Sequence, residues 1–168
     1  KASRKEEPKQ ATIDQDATVV ESHKEQSRMT YLGERGYQPV INYWVEQDLI
    51  LADEFRDGNV PAGYEQLRVL KEALRQLPEG VDKIRLRSDT AGYQHDLLRY
   101  CESGENDRFG RIEFAISCDV SEEFKRAVGQ VAQSEWRPMY REENGERVES
   151  GGEWAEVCFV PNKIGHSK

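Results

Sequence analysis

The clearest element in this sequence is an amphipathic helix that ends before Pro78-Glu79-Gly80. Large apolar side chains recur there at spacings of three, three, four and three residues, at Tyr64, Leu67, Leu70, Leu74 and Leu77. This spacing places them on one face of a helix. The segments before the helix have a strand-like period, and those after it change between strand and helix. The helix therefore separates a β-rich part of the chain from a part in which strands and helices alternate.

Three strands are predicted before this helix. The run ATIDQDATVV (11–20) alternates and then becomes β-branched, and PVINYWVEQ (39–47) and LILADEFRDG (49–58) are separated by a tight polar turn. Sequential strands of this kind predict an antiparallel meander. The polar segment 21–38 reads as a connection, and its Gly33-x-Arg35-Gly36 lacks the helix and the lysine of a nucleotide-binding loop, so it is interpreted as a turn.

Strand and helix alternate after residue 82. KIRLRSD (83–89) is a predicted strand, and YQHDLLRYCESG (93–104) is a short helix that ends at its glycine. RIEFAISCDV (111–120) has the apolar content of a buried central strand, and Ser121 can cap a helix that continues to about Val131. Asn144-Gly145 predicts a turn in a charged segment with little to bury, and EWAEVCFVP (153–161) predicts a strand.

The predicted order is β-β-β-α-β-α-β-α, which implies a mixed α/β sheet flanked by helices, the order of a ribonuclease H-like fold. We expect a linker over 1–10, a ribonuclease H-like core over 11–131 and the start of a β-rich insertion over 132–168. The absence of an initiator Met before Lys1 favours an excised piece of a longer protein.

Composition narrows the range of functions. The 24 basic and 32 acidic side chains give a formal net charge of −8, which argues against a domain that grips phosphates through bulk charge. No apolar run is long enough to span a bilayer, and no secretion signal is present at the start, so we expect a cytoplasmic protein with no membrane partner. Cys101, Cys118 and Cys158 have the spacing of neither a disulfide framework nor a zinc site, and we expect reduced core thiols.

Three aspartates are candidates for a metal site. Asp14 and Asp16 are two residues apart on a strand and therefore project from the same face. Asp89 ends another strand, where ligand sites gather in mixed α/β sheets. If the two strands are neighbours, the carboxylates converge, and a divalent cation would relieve their repulsion. The alternative is that all three aspartates only cap or solvate strand ends.

Four segments carry a resemblance to a known family. IDQDAT (13–18), YLGERGYQPV (31–40), FRDGNV (55–60) and LRSDTAGY (86–93) resemble, in order and approximate spacing, motifs of bacterial insertion-sequence transposases of the DDE class, in particular the group-one DDE domain family. The resemblance implies a ribonuclease H-like core in which three carboxylates hold two Mg²⁺ or Mn²⁺ ions that cut and join DNA. By the same resemblance, Asp16 matches the first acid and Asp89 the second, and Asp14 remains a weaker candidate.

The third acid of that family is a Glu on a late helix, within a Tyr-x-x-Arg-x-x-x-Glu pattern. Tyr140-Arg141-Glu142 has these residue types at the wrong spacing, so we expect the third acid beyond Lys168. Arg87 lies beside Asp89 on the same strand and could orient the carboxylates, meet a phosphate or form a structural salt bridge. Arg35 is a further candidate for a DNA contact.

The leading hypothesis is therefore a fragment of a DNA transposase catalytic domain that is inactive alone and whose partners are transposon-end and target DNA. A homodimer of the full-length protein is part of this hypothesis. Two alternatives remain: a degenerate ribonuclease H-like domain that serves assembly or nucleic-acid binding, and another two-metal nuclease of the same fold.

Overall fold

The computed structural model describes residues 8–106 and 108–159. They belong to two compact units, the first ending at Cys118 and the second beginning at Asp119. The predicted linker 1–10 lies mostly outside the described residues, since the first strand already begins at Gln10. The predicted boundaries of the core at residue 131 and of the insertion at 132–168 stay predictions.

The described strands are β1 (Gln10–Ala17), β2 (Val20–Glu21), β3 (Arg28–Met29), β4 (Arg35–Tyr37), β5 (Val40–Trp44), β6 (Leu49–Glu54), β7 (Lys83–Ser88), β8 (Glu113–Ile116), β9 (Arg137–Glu143) and β10 (Glu146–Trp154). The described α-helices are α1 (Gln66–Gln76), α2 (His95–Ser103) and α3 (Glu122–Val128). Short 3₁₀ helices lie at Val45–Gln47, Thr90–Gly92 and Gln133–Glu135. No helix within the described ranges is long and apolar enough to cross a membrane.

Five strands of the first unit form a mixed sheet in the order β6-β5-β1-β7-β8. The β6-β5 and β5-β1 pairs are antiparallel, whereas the β1-β7 and β7-β8 pairs are parallel. A three-strand meander continued by parallel strands is the ribonuclease H-like arrangement, so the predicted fold class is confirmed. Strand β1 lies at the centre, between the antiparallel and the parallel halves.

The hydrophobic core lies on one face of this sheet, beneath α1 and α2. Its buried members come from both helices, from the sheet and from the connecting loops: Ala11, Ile13, Trp44, Leu70, Leu74, Leu77, Val81, Ile84, Leu86, Leu97, Cys101 and Ile112. The predicted helix is confirmed as α1, although Tyr64 precedes it and is exposed. The second predicted helix is confirmed as α2, which Gly104 ends in the left-handed conformation at φ 67°.

The segment between β1 and β5, predicted as a polar connection, contains a sheet of its own. Its strands have the order β2-β4-β3, and both pairs are antiparallel. The predicted first strand ends at Ala17, so Val20 belongs to this second sheet rather than to β1. Strands of two or three residues are too short to show a periodic pattern, so they could not be predicted from the sequence.

Strand β8 corrects a second expectation. The segment 111–120 was predicted to be a buried central strand, yet β8 is at the edge of the described sheet, and Glu113, Phe114 and Ala115 are exposed. The apolar residues of β8 do not reflect burial on both faces. Only positions on the helical side of the sheet, such as Ile116, pack against the core. A short apolar run cannot distinguish an edge strand from a central one.

The second unit, described from residue 119 to 159, contains α3 and a hairpin. Ser121 caps α3 as predicted, accepting a hydrogen bond from the backbone N–H of Phe124 at 3.1 Å. Strands β9 and β10 form the hairpin around the predicted Asn144-Gly145 turn. The prediction of a strand over 153–161 was wrong for 155–159, which are not strand, and residues 160–161 lie outside the described part.

The hairpin forms although each of its strand residues is exposed. Cation–π contacts connect its strands, with Arg147 over the ring of Tyr140 at 4.2 Å and Arg137 over the ring of Trp154 at 5.2 Å. Such cross-strand pairs stabilise a ribbon that has little to bury.

Candidate metal centre

Strand β1 presents Asp14 and Asp16 on the face of the sheet opposite to α1 and α2. Burial alternates along the strand, with Ile13 and Gln15 buried against the helical side while Asp16 is exposed. Because successive strand residues point to opposite faces, both aspartates project to the other side. This is the shared face that the two-residue spacing predicts.

Asp89 directly follows the last residue of β7. The parallel ladder pairs Asp14 with Arg87 and Gln15 with Ser88, so the next residues in register are Asp16 and Asp89. The backbone of Asp89 is extended, at φ −76° and ψ −167°, and continues the alternation of β7. Ile84 and Leu86 face the core, and Asp89 therefore faces the same side as Arg87. Asp16 and Asp89 thus each follow directly after the last pair of the parallel ladder, Gln15 with Ser88, and face the same side of the sheet.

Each of these carboxylates is held by one local hydrogen bond. Asp16 Oδ2 accepts from the hydroxyl of Thr18 at 2.8 Å. Asp89 Oδ1 accepts from the backbone N–H of Ala91 at 2.9 Å and caps the 3₁₀ helix Thr90–Gly92. Within the described residues, the second oxygen of each carboxylate makes no further hydrogen bond. The bonds orient the side chains and leave one oxygen of each available.

This donor set fits a hard divalent cation. Mg²⁺ and Mn²⁺ take oxygen ligands, and two exposed carboxylates on one face supply them while water or a phosphate completes the coordination. Residues 8–106 and 108–159 contain no group of three or more His, Cys, Asp or Glu side chains arranged to hold a metal ion. The carboxylates that the described residues offer here are thus those of Asp16 and Asp89.

Asp14 is engaged elsewhere. Arg87 donates from Nε to Oδ1 and from Nη2 to Oδ2, both at 2.5 Å, so the guanidinium binds both carboxylate oxygens. The hydrogen bond to Asp14 and its charge raise the pKa of Arg87 above its ordinary value. The weaker candidate Asp14 therefore lies on the right face but has both oxygens in an ion pair.

A second group of charges on this face is structural. Glu113 of β8 accepts from Lys83 and from Arg85, both at 2.9 Å. Hydrogen bonds from these two cations hold the pKa of Glu113 below its usual value. All three side chains are about half exposed. Exposed pairs of this kind add little to stability, and they tie the edge strand to β7.

The family described as transposase DDE domain group 1 matches residues 1–157. The chain belongs to this family. No curated protein matches this sequence.

A solved structure of another transposase is similar to this domain. It is the cryo-EM structure of the piggyBac transposase synaptic complex with hairpin DNA, with a TM-score of 0.42 and 12% sequence identity. The match covers 80% of this chain and 28% of that chain. The chain therefore spans little more than a quarter of the length of that transposase.

Arg35, a candidate for a DNA contact, lies in the small sheet of the transposase domain. Its guanidinium donates to the carbonyl oxygens of Glu25 at 2.5 Å and Ser27 at 2.8 Å. These bonds close the loop between β2 and β3, which gives the arginine a structural task. A DNA contact by Arg35 stays a prediction.

Two residues of the site were missed in the sequence. Thr18, which orients Asp16, has a signal in the short Asp-x-Thr spacing, because a hydroxyl two residues later can reach the carboxylate. Gly92 is buried in the 3₁₀ helix that Asp89 caps, and a Cβ at this position would lie 2.6 Å from the Cβ of Ser88. Only the folded register shows this close approach.

Proposed function

We propose that this transposase DDE domain forms part of a catalytic centre that cuts and joins DNA at transposon ends. The observation that supports the proposal is the register of β1 and β7, whose last pair, Gln15 with Ser88, directly precedes Asp16 and Asp89. Family membership supplies the reaction class, and the two carboxylates supply the chemistry. Mg²⁺ or Mn²⁺ is the proposed cofactor.

Asp16 and Asp89 would be the metal ligands, each through the oxygen that its local hydrogen bond leaves available. The bound ions would polarise the scissile phosphate and stabilise the attacking and leaving oxygens of an in-line displacement. In the first step water attacks the phosphorus and a 3′-hydroxyl leaves. In the second step that hydroxyl attacks a target phosphodiester, one bond forms as another breaks, and the protein forms no covalent intermediate.

Thr18 and the Thr90–Gly92 turn serve this centre by holding its ligands. Because the Thr18 hydroxyl and the Ala91 N–H each fix one carboxylate oxygen, the side chains lose little conformational entropy when an ion binds. A third acid, supplied from outside the described residues, would complete the ligand set. The partners we propose are transposon-end and target DNA, with a homodimer as the full-length assembly.

The test uses the full-length protein on DNA that carries the transposon ends, with Mg²⁺ or Mn²⁺. Asp16→Asn and Asp89→Asn should each abolish cleavage, because an amide is a poor ligand for a hard divalent ion. Glu113→Gln is the matched control, since Glu113 lies on the same face but serves an ion-pair network. Near-normal cleavage by either aspartate variant would exclude that residue as a ligand. An inactive wild-type protein that still binds the ends would favour the degenerate binding module.

A further inference from the structure

The ladder between β1 and β7 presents two consecutive rows of charge on the open face. One row is Asp14 with Arg87. The next consists of Asp16 and Asp89, the residues that directly follow the last ladder pair, Gln15 with Ser88. Residues two apart in a strand are separated by about 6.6 Å, so the rows are neighbours. The first row has no net charge and the second carries two negative charges.

The first row is a closed pair. Both oxygens of Asp14 accept from Arg87 at 2.5 Å, in the two-point geometry that a planar guanidinium gives with a carboxylate. The two side chains are about half exposed, at 55% for Arg87 and 37% for Asp14. Burial therefore does not force them together, and the pair forms across strands whose residues are 73 positions apart in the chain.

Without Arg87 the same face would carry three carboxylates in two adjacent rows. Asp14 would then attract or bind a cation directly, because it projects in the same direction as Asp16. Hard ions select carboxylates by charge and number, so a free Asp14 would compete with the Asp16–Asp89 row. The other arginine of β7, Arg85, does not compensate, because it pairs with Glu113 on β8.

We propose that Arg87 is a positioning residue that withholds Asp14 from the metal centre and so directs the cation to Asp16 and Asp89. This inference rests on the proposed function, since it assumes that these two aspartates bind the metal. It assigns Asp14 a role as the partner of Arg87 rather than as a ligand. The Asp14–Arg87 pair has no net charge. Removing the charge of Arg87 should therefore strengthen metal binding at Asp16 and Asp89, and removing the charge of Asp14 should weaken it.

The experiment measures Mn²⁺ affinity of the 168-residue chain by the electron paramagnetic resonance signal of free Mn²⁺. Arg87→Gln should bind Mn²⁺ about three to ten times more tightly, because it releases a negative charge beside the site. Asp14→Asn should bind about three to ten times more weakly, because it releases a positive charge there. The double variant should return to within about twofold of the wild type, since both charges are gone.

Arg85→Gln is the matched control and should leave the affinity unchanged, because it removes the same charge one row further from Asp89. A merely structural role for Arg87 would lower the thermal midpoint of Arg87→Gln without tightening Mn²⁺ binding, and that result would overturn the inference. Should Arg87→Gln fail to fold, Arg87→Lys takes its place. It keeps the charge but loses the two-point contact, so it should tighten binding by about two- to threefold, and unchanged affinity would count against the inference.

Asp16→Asn and Asp89→Asn separate this inference from the proposed function. If neither variant weakens Mn²⁺ binding, the proposed metal centre fails, whatever Arg87 does. If both weaken it while Arg87→Gln and Asp14→Asn change the affinity in the same direction or not at all, the metal centre stands and the role of Arg87 is refuted.

Discussion

Asp16 and Asp89 each directly follow the Gln15–Ser88 pair that ends the parallel ladder of β1 and β7. Like charges on adjacent strand positions repel, and part of that repulsion remains when the site holds no cation. The structure keeps both carboxylates on the same exposed face. Their proximity is therefore a cost to the fold that metal binding would remove.

We predict that Asp16→Asn raises the thermal midpoint of the metal-free chain by about 1–2 °C at low salt, because it removes one of two neighbouring negative charges. The amide can still accept the hydrogen bond from Thr18, so the local structure should persist. Thermal unfolding followed by circular dichroism measures this. The increase in the thermal midpoint should vanish in 1 M salt, because the Debye length there is about 3 Å and the repulsion between the carboxylates is screened.

Asp53→Asn is the control for this prediction. Asp53 is exposed on β6, where it pairs with Ile41 of β5, and β6 lies two strands away from β1, the strand of Asp16. It should leave the midpoint unchanged within about 1 °C. A midpoint that drops for Asp16→Asn would mean that the carboxylate makes a net stabilising contact, and would contradict the repulsion between Asp16 and Asp89.

Gly92 is predicted to be a site where a single methyl group disturbs the metal centre. Its missing Cβ would lie 2.6 Å from the Cβ of Ser88, closer than real side-chain atoms approach. Gly92→Ala should therefore lower the free energy of unfolding by about 1–3 kcal/mol, the usual cost of overpacking. Urea unfolding is the measurement. The strain falls between Ser88 and the turn that Asp89 caps, so Mn²⁺ affinity should fall as well.

Gly129→Ala provides the matched comparison for Gly92. Gly129 has an ordinary right-handed backbone at φ −65° and ψ −12°, and its nearest contacts for a Cβ are 3.5 Å away. Alanine there should be neutral or stabilise by about 0.4–1 kcal/mol through the unfolded state. Equal losses at the two glycines would show that the Ser88 contact is not the cause.

The sequence was sufficient for the large elements and for the position of the two aspartates. The period of the apolar residues predicts α1, α2 and the strands of the mixed sheet, since burial on one face imposes that period. The resemblance to DDE transposases predicts that the Asp16 and Asp89 strands are neighbours, and β1 and β7 are paired in the sheet. Asp16 and Asp89 could thus be assigned to strand ends from the sequence, because the apolar period of their strands fixes where each strand lies.

Other features could not be read from the sequence because they depend on register. The pairing of Arg87 with Asp14 joins residues 73 positions apart, and nothing local distinguishes Arg87 from Arg85. The edge position of β8 and the two- to three-residue strands of the small sheet likewise follow from tertiary contacts. A run such as 111–120 has the same apolar content whether its strand lies at the edge or in the centre.

The cysteines allow a direct test of burial. The three were predicted to be core thiols, but Cys101 alone of them is buried, whereas Cys118 is half-buried and Cys158 is exposed. Burial raises the pKa of the Cys101 thiol to about 12. Because the thiolate is the reactive form, we expect Cys101 to resist a disulfide reagent at pH 8 while Cys158 reacts. Mass spectrometry of the labelled native chain identifies the modified residues, and rapid labelling of Cys101 would contradict the packed core beneath α2.

The last prediction concerns the 168-residue chain by itself: it should fold and bind Mg²⁺, but weakly. Folding is expected because α1 and α2 bury a continuous core against one face of the five-stranded sheet. Weak binding is expected because Mg²⁺ prefers octahedral oxygen coordination, and the carboxylates of Asp16 and Asp89 fill a minority of the positions. Water then fills the rest, and the dissociation constant should lie in the millimolar range.

Such a chain should neither cut nor join DNA, since catalysis needs both ions fixed for in-line attack, and two carboxylates leave them poorly held. The measurement is a nicking assay with Mn²⁺ on DNA that carries the transposon ends, with the Asp16→Asn chain as its control. Nicking in the wild-type chain that disappears in the control would show that a complete active site is present within these residues. A third acid would then have to be sought among them, with Glu135 and Glu156 as the first to replace.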